Sequence, residues 1–179
     1  IKGNDAETVS ASALRASGEV FTDNHGMQSF DTPRALSTEE VGQVVQEHRQ
    51  AALNARAAGF DGVELHCTSG YLPMQFMCSG TNLRTDCYGG SVANRVRFAV
   101  ECLQAMSDAI GPGRVGVRFN PGNTYNDTRD ADSTATHAEL ARQAAGLDLA
   151  YAHVMRSPVA EIDAFDLARA SFGERLILN

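Results

Sequence analysis

The chain has 179 residues, 43% hydrophobic and 21% charged, the balance of one globular domain able to bury a core rather than of a disordered chain. Lys plus Arg number 15 against 22 Asp plus Glu, a formal net charge of −7, which argues against a nucleic-acid partner because phosphate backbones draw concentrated positive charge. No apolar run approaches the roughly 20 residues needed to span a bilayer, and no basic-then-apolar leader opens the chain, so no membrane partner and a cytoplasmic location are expected.

Residues 1–36 carry Gly3, Gly18, Gly26 and Pro33 among scattered polar residues, with the β-leaning piece Glu19-Val20-Phe21-Thr22. They read as an irregular excursion holding one hairpin. At Ser37 the pattern changes. Ser37-Thr38-Glu39-Glu40 is a capping box, and Val41, Val44, Val45, Ala52 and Ala55 follow at helical spacing until Gly59 can end the helix.

Asp61 to His66 then reads as a strand, followed by a long loop through Gly70, Gly80, Gly89 and Gly90. Ser91 caps a second helix with Val96, Ala99, Leu103 and Met106 on one face, ended by Gly111-Pro112. Arg114 to Phe119 is a strand; Pro121, Gly122 and Asn123 lie in a polar loop; and Ser133 opens a helix expected to pack Ala135, Leu140, Ala141 and Ala144 inward. Leu147 to Val154 is the next strand, Glu161 to Phe172 a helix stopped by Gly173, and Arg175 to Leu178 a fourth strand.

Strand and helix alternate, with short returns from helix to strand and longer loops from strand to helix, the mark of parallel βα units in an α/β fold. An open doubly wound sheet and a closed barrel both satisfy this pattern. No GxGxxG turn follows any strand, which favours the barrel. A complete (β/α)8 TIM barrel takes about 250 residues, so this chain covers about half of one, in residues 37–179. Ile1 at one end and the strand-like Arg175 to Asn179 at the other lead us to expect that both ends are cut. Cys67, Cys78, Cys87 and Cys102 show no CxxC spacing, so no metal site is expected and they read as free thiols.

Period two along a strand sends Glu64 and His66 to one face and Val63 and Leu65 to the other. In a barrel the apolar pair meets the helices and His66 points inward at the C-terminal end, where functional groups collect. Ser69 and Tyr71 follow, separated by Gly70, which permits a tight turn. Each also has an ordinary structural reading: a satisfied strand-end His, a buried phenol, a Ser bonded to local backbone. The same parity puts Gly116 and Arg118 inward. An inward Arg needs a partner, which is either a carboxylate such as Glu64 or a bound anion or electron-rich cofactor edge.

The run from Ala57 to His66, then Gly70-Tyr71-Leu72, Gln75-Phe76, Asn82 to Asp86, Tyr88 to Ser91, Asn94-Arg95, Arg97-Phe98, Gly111-Pro112 and Arg114 to Arg118 resembles the old yellow enzyme family in order and spacing. Ala13-Leu14-Arg15 and Thr32 to Leu36 resemble that family's segment after the third barrel strand. The resemblance implies that residues 37–179 supply roughly strands 4 to 7 of the barrel and that residues 1–36 are an excursion after strand 3. It implies an FMN-dependent, NADH- or NADPH-driven ene-reductase acting on a small-molecule activated alkene, an α,β-unsaturated carbonyl or nitro compound.

Residue by residue, the resemblance makes His66 the donor to the substrate carbonyl, Tyr71 the proton donor and Arg118 the side chain at the flavin edge, with His66 also near the cofactor. Ser69 stands where the family has Asn or His, the second donor of the carbonyl clamp. Met74 replaces a common acidic residue, and Cys67 a small one. Such donors are needed because hydride addition builds negative charge on the conjugated oxygen, and a phenol can then act as general acid toward the neighbouring carbon. Retention of Tyr71 favours reduction over a related flavin isomerase or dehydrogenase. A non-catalytic or truncated barrel relative that no longer binds FMN is the reading from a different class, and a homo-oligomer is left open.

Overall fold

The computed structural model describes residues 7–157 and 161–179; Gly3, one of the early glycines, lies outside them. The first described segment holds β1 (Val9–Ser10), β2 (Glu19–Thr22), β3 (Gly26–Ser29) and β4 (Arg34–Ala35). β2 and β3 form an antiparallel hairpin, and β1 pairs in parallel with β4.

Helix α1 (Thr38–Ala57) begins at the Ser37 capping box, in which the Ser37 side chain accepts from Glu40 N at 3.2 Å and Glu40 Oε2 accepts from Ser37 N at 2.7 Å. These two bonds satisfy donors that a helix start otherwise leaves bare. The helix runs out at Gly59, whose φ of 93° is left-handed. Three βα units follow: β5 (Val63–Cys67) with α2 (Leu72–Met77) and α3 (Val92–Ile110), β6 (Val115–Phe119) with α4 (Ser133–Ala145), and β7 (Tyr151–Val154) with α5 (Ala164–Phe172). β8 (Leu176–Leu178) closes the series. The sheet order is β5-β6-β7-β8, every pairing parallel.

The helices pack on one face of this sheet. Leu65 and Cys67 from β5, Val115, Val117 and Phe119 from β6, and Ala152 and Val154 from β7 meet Phe98, Ala99, Cys102 and Leu103 of α3 and Leu140, Ala141 and Ala144 of α4 in one buried core. Each fully buried Val, Leu or Phe of this set contributes about 1.5–3 kcal/mol, and each Ala less. That face is therefore fixed by hydrophobic burial, and the alternate residues Glu64, His66, Gly116, Arg118, Tyr151 and His153 are left on the other.

The structure departs from the sequence reading at four places. The stretch after His66 is not all loop, because α2 lies within it, begun by Tyr71 without a side-chain cap. In α4, Ala135 is exposed, and Thr136 and His137 are buried in its place. The strand expected from Leu147 begins only at Tyr151, after a turn in which Leu149 is already fully buried. The helix expected from Glu161 begins at Ala164, since the Asp163 carboxylate accepts from Phe165 N and Asp166 N and so marks the start. No described helix is long and apolar enough to cross a membrane.

Candidate active site

Two rows of side chains cross the inner face of the sheet. Parallel register aligns Glu64 with Gly116 and Tyr151, and one step nearer the strand ends it aligns His66 with Arg118 and His153. Gly116 leaves space that the Tyr151 ring fills: a Cβ on Gly116 would lie 2.5 Å from Tyr151 Cζ. Glu64 does not take Arg118 as its partner, contrary to one of the alternatives weighed from sequence. Its carboxylate accepts instead from His153 Nδ1 at 3.1 Å, an imidazole reaching down from the neighbouring row.

Arg118 donates its Nε and Nη2 to the sulfur of Met155, at 3.2 and 2.9 Å. A thioether is a weak acceptor, so a half-buried guanidinium fork faces the inner side of the sheet with its electrostatics poorly compensated. The fork suits a planar group that offers two oxygen or nitrogen acceptors along one edge.

His66 sits beside Arg118 at the C-terminal end of β5. Its Nε2 is buried and has no hydrogen-bond partner among the described residues. Burial first, and then the Arg118 cation, push the imidazole pKa below its ordinary value, with Glu64 opposing them. A neutral ring results at pH 7, with one N–H to donate. The Tyr71 ring stands edge-on to it, centroids 5.2 Å apart and planes at 66°. Tyr71 is 59% exposed in this chain, so its ring lies outside the buried core between sheet and helices.

The turn between the two rings is left-handed twice over, with φ 58° at Ser69 and 77° at Gly70. Gln75 Nε2, one turn into α2, donates to Gly70 O at 2.7 Å, and Tyr71 N donates to Thr68 O at 3.3 Å. Met74 is buried and accepts the Gly70 N–H on its sulfur at 3.4 Å. Asn126 Nδ2, from the loop after β6, donates to Ser69 O at 2.9 Å. Cys67, by contrast, faces the helices with Leu65, and burial drives its thiol pKa upward; it plays no part on the inner face.

The structure thus gathers His66, Ser69 and Tyr71 at one strand end and sets Arg118 in register on the next strand. His153, Met155 and Asn126 complete the surroundings, and none was singled out from sequence. His153 carried a usable signal, since strand parity puts it inward with Tyr151. Met155 and Asn126 lie beyond their strands, where parity no longer applies. Among the described residues no group of three or more His, Cys, Asp or Glu could hold a metal ion. Among the described residues the unpartnered His66 Nε2 and the Arg118 fork held by the Met155 sulfur fit a planar heteroaromatic cofactor that carries carbonyl oxygens, as a flavin does.

Residues 2–168 match the family described as NADH:flavin oxidoreductase / NADH oxidase. The chain belongs to this family. Among its curated relatives is the chanoclavine-I aldehyde reductase of Penicillium roqueforti, 46% identical over 138 residues, which cover 75% of the chain and 37% of the relative. Among solved structures, morphinone reductase in complex with tetrahydroNAD superposes with a TM-score of 0.89 at 38% identity, over 97% of this chain and 49% of that one. An old yellow enzyme homologue from Zymomonas mobilis gives a TM-score of 0.90 at 30% identity, over 97% and 51%. These structures are (β/α)8 barrels, so the four-stranded parallel sheet is part of such a barrel, and the chain spans about half the length of these solved relatives.

Proposed function

We propose that the protein carrying this chain is an FMN-dependent reductase that uses NADH or NADPH to reduce the activated C=C bond of α,β-unsaturated carbonyl or nitro compounds. The observation that carries this reading is the edge contact of His66 and Tyr71 at 5.2 Å, beside the Arg118 that pairs with His66 in register. The family's description and its reductase relatives support it.

Arg118 would hold the electron-rich edge of the flavin, and its charge favours the anionic form that reduction produces. FMN, when bound, would supply the hydride for the β-carbon of the alkene. His66 N–H and Ser69 Oγ–H would donate to the carbonyl or nitro oxygen of the substrate, where charge accumulates as the double bond is attacked. Ser69 is shorter than the Asn or His that the family resemblance implies at this position, so its bond would run through a water or select substrates whose oxygen sits closer to the turn. Tyr71 would give its phenolic proton to the α-carbon, completing the addition of one hydride and one proton.

The test is made on the complete protein. It should purify yellow, with flavin absorbance. In Tyr71→Phe, flavin reduction by the nicotinamide should stay near wild type while reoxidation by an activated alkene slows by about 10²–10⁴-fold, the usual weight of a general acid. Equal loss in both half-reactions would contradict the role given to Tyr71, and a colourless protein would remove the enzymatic reading.

A further inference from the structure

Given an ene-reductase in which Ser69 and Tyr71 reach the substrate, we infer that Asn126, on the loop after β6, is the positioning residue that holds the Ser69–Tyr71 turn in its working geometry.

Left-handed backbone is unfavourable for a residue with a Cβ, so Ser69 at φ 58° stays there only if its surroundings hold it. Three of the bonds on the turn arise within the β5–α2 segment itself: the long Tyr71 N to Thr68 O bond at 3.3 Å, the Gly70 N bond to the Met74 sulfur, and the Gln75 bond to Gly70 O. None of them engages the Ser69 carbonyl. The Asn126 amide does, at 2.9 Å. The two loops also touch directly, for a Cβ added at Gly70 would lie 2.6 Å from Asn126 Cβ.

Asn126 is itself held firmly. It and Asp127 are consecutive left-handed residues, φ 57° and 63°, a conformation that Asn and Asp tolerate better than other side chains. Tyr125 N donates to Asn123 Oδ1 at 2.9 Å, and the fully buried Thr128 donates its hydroxyl to Tyr125 O at 2.7 Å. Asp127 Oδ2 accepts from Ser17 N at 2.7 Å, which anchors the same loop to the N-terminal segment. The turn that bears the donor and the acid therefore rests on a pedestal built from another strand's loop. Reaction geometry is sensitive to such support, since a displacement of about 1 Å can cost about 100-fold in rate.

Two variants of the complete FMN-loaded protein test this. Asn126→Gly keeps the left-handed backbone and removes the donor; Asn126→Asp keeps the shape and sets an acceptor against the Ser69 carbonyl. Both should retain flavin and be reduced by NADH or NADPH at close to the wild-type rate, while reoxidation by 2-cyclohexenone slows by about 10- to 100-fold. Relative to wild type, Asn126→Asp should regain rate at low pH, where a protonated carboxyl can donate again. In cofactor-free protein, the His66 imidazole resonances should move from their wild-type positions toward those of Tyr71→Ala, because the edge contact loosens. Unchanged cyclohexenone kinetics in both variants, equal slowing of both half-reactions, or His66 resonances that do not move would each overturn the inference. A wild-type protein that reduces no enone would refute the ene-reductase reading instead, and the His66 resonances would then still decide whether Asn126 holds the turn.

Discussion

Replacing Arg84 with Met should weaken the protein substantially. Arg84 lies in the loop after α2 with its side chain only 9% exposed. Its guanidinium donates to Ala11 O, to Leu36 O and to both carboxylate oxygens of Asp86, while stacking 5.7 Å above the Phe76 ring. Ala11 and Leu36 are themselves buried, so a lost donor leaves carbonyls that water reaches poorly, at about 1–3 kcal/mol each. Asp86 keeps Thr38 Oγ1 and Tyr88 N as donors and is partly open to solvent, so its loss of the cation costs less, about 1 kcal/mol. Met refills the volume over Phe76 and restores a little packing. The sum is about 3–7 kcal/mol, which at a urea m-value of about 2 kcal/mol/M lowers the unfolding midpoint by about 1.5–3.5 M. A shift under about 0.5 M would show that the Arg84 bonds contribute little beyond what water replaces. The pH dependence offers a second check. The Arg84 hydrogen bonds are the largest cause holding the Asp86 pKa below its usual value, so their stabilisation is complete above the unfolded carboxylate value of about 3.9 and is lost as pH falls toward the depressed folded value. Arg84→Met should flatten this acid limb.

The His66 imidazole, pushed down by burial and by Arg118, should titrate by NMR below the unperturbed value of about 6.5 and rise in Arg118→Met; a midpoint above that value would refute the neutral donor. Its contribution to stability is complete above about 6.5 and is lost as pH falls toward the lower folded value. Ser69→Asn suits the left-handed backbone and should leave turnover of cyclic enones equal or higher, whereas a large fall would show that the shorter donor is itself selected. Gly116→Ala drives a Cβ against the Tyr151 ring and should cost about 1–3 kcal/mol, visible as a lowered Tm; an unchanged Tm would mean that the ring swings aside freely.

The sheet was legible because two local rules agree along it. Leu65, Val115, Val117 and Val154 alternate with polar or small residues, and capping residues such as Ser37 and Ser91 mark where helices begin. Helix α2 escaped because Pro73, Met74, Phe76 and Met77 are all buried: six residues apolar nearly all round carry no periodicity. The phase of α4 differs from the one its apolar residues imply, because Thr136 and His137 face the core although their side chains are polar. His66, Ser69 and Tyr71 could be grouped because five residues of chain cannot carry them far apart. The choice of His153 rather than Arg118 as the partner of Glu64 depends on which of two inward side chains reaches across a sheet, and only three-dimensional spacing decides that.

The interlock between the loops after β5 and β6 bears on how relatives of this chain diverge. With Asn126 seated against Gly70 and Ser69, neither loop can gain or lose a residue near the contact without reshaping the other. Lengthening the second would retune substrate choice at the first, so grafting one loop alone from a homologue transfers half a determinant; the two must travel together.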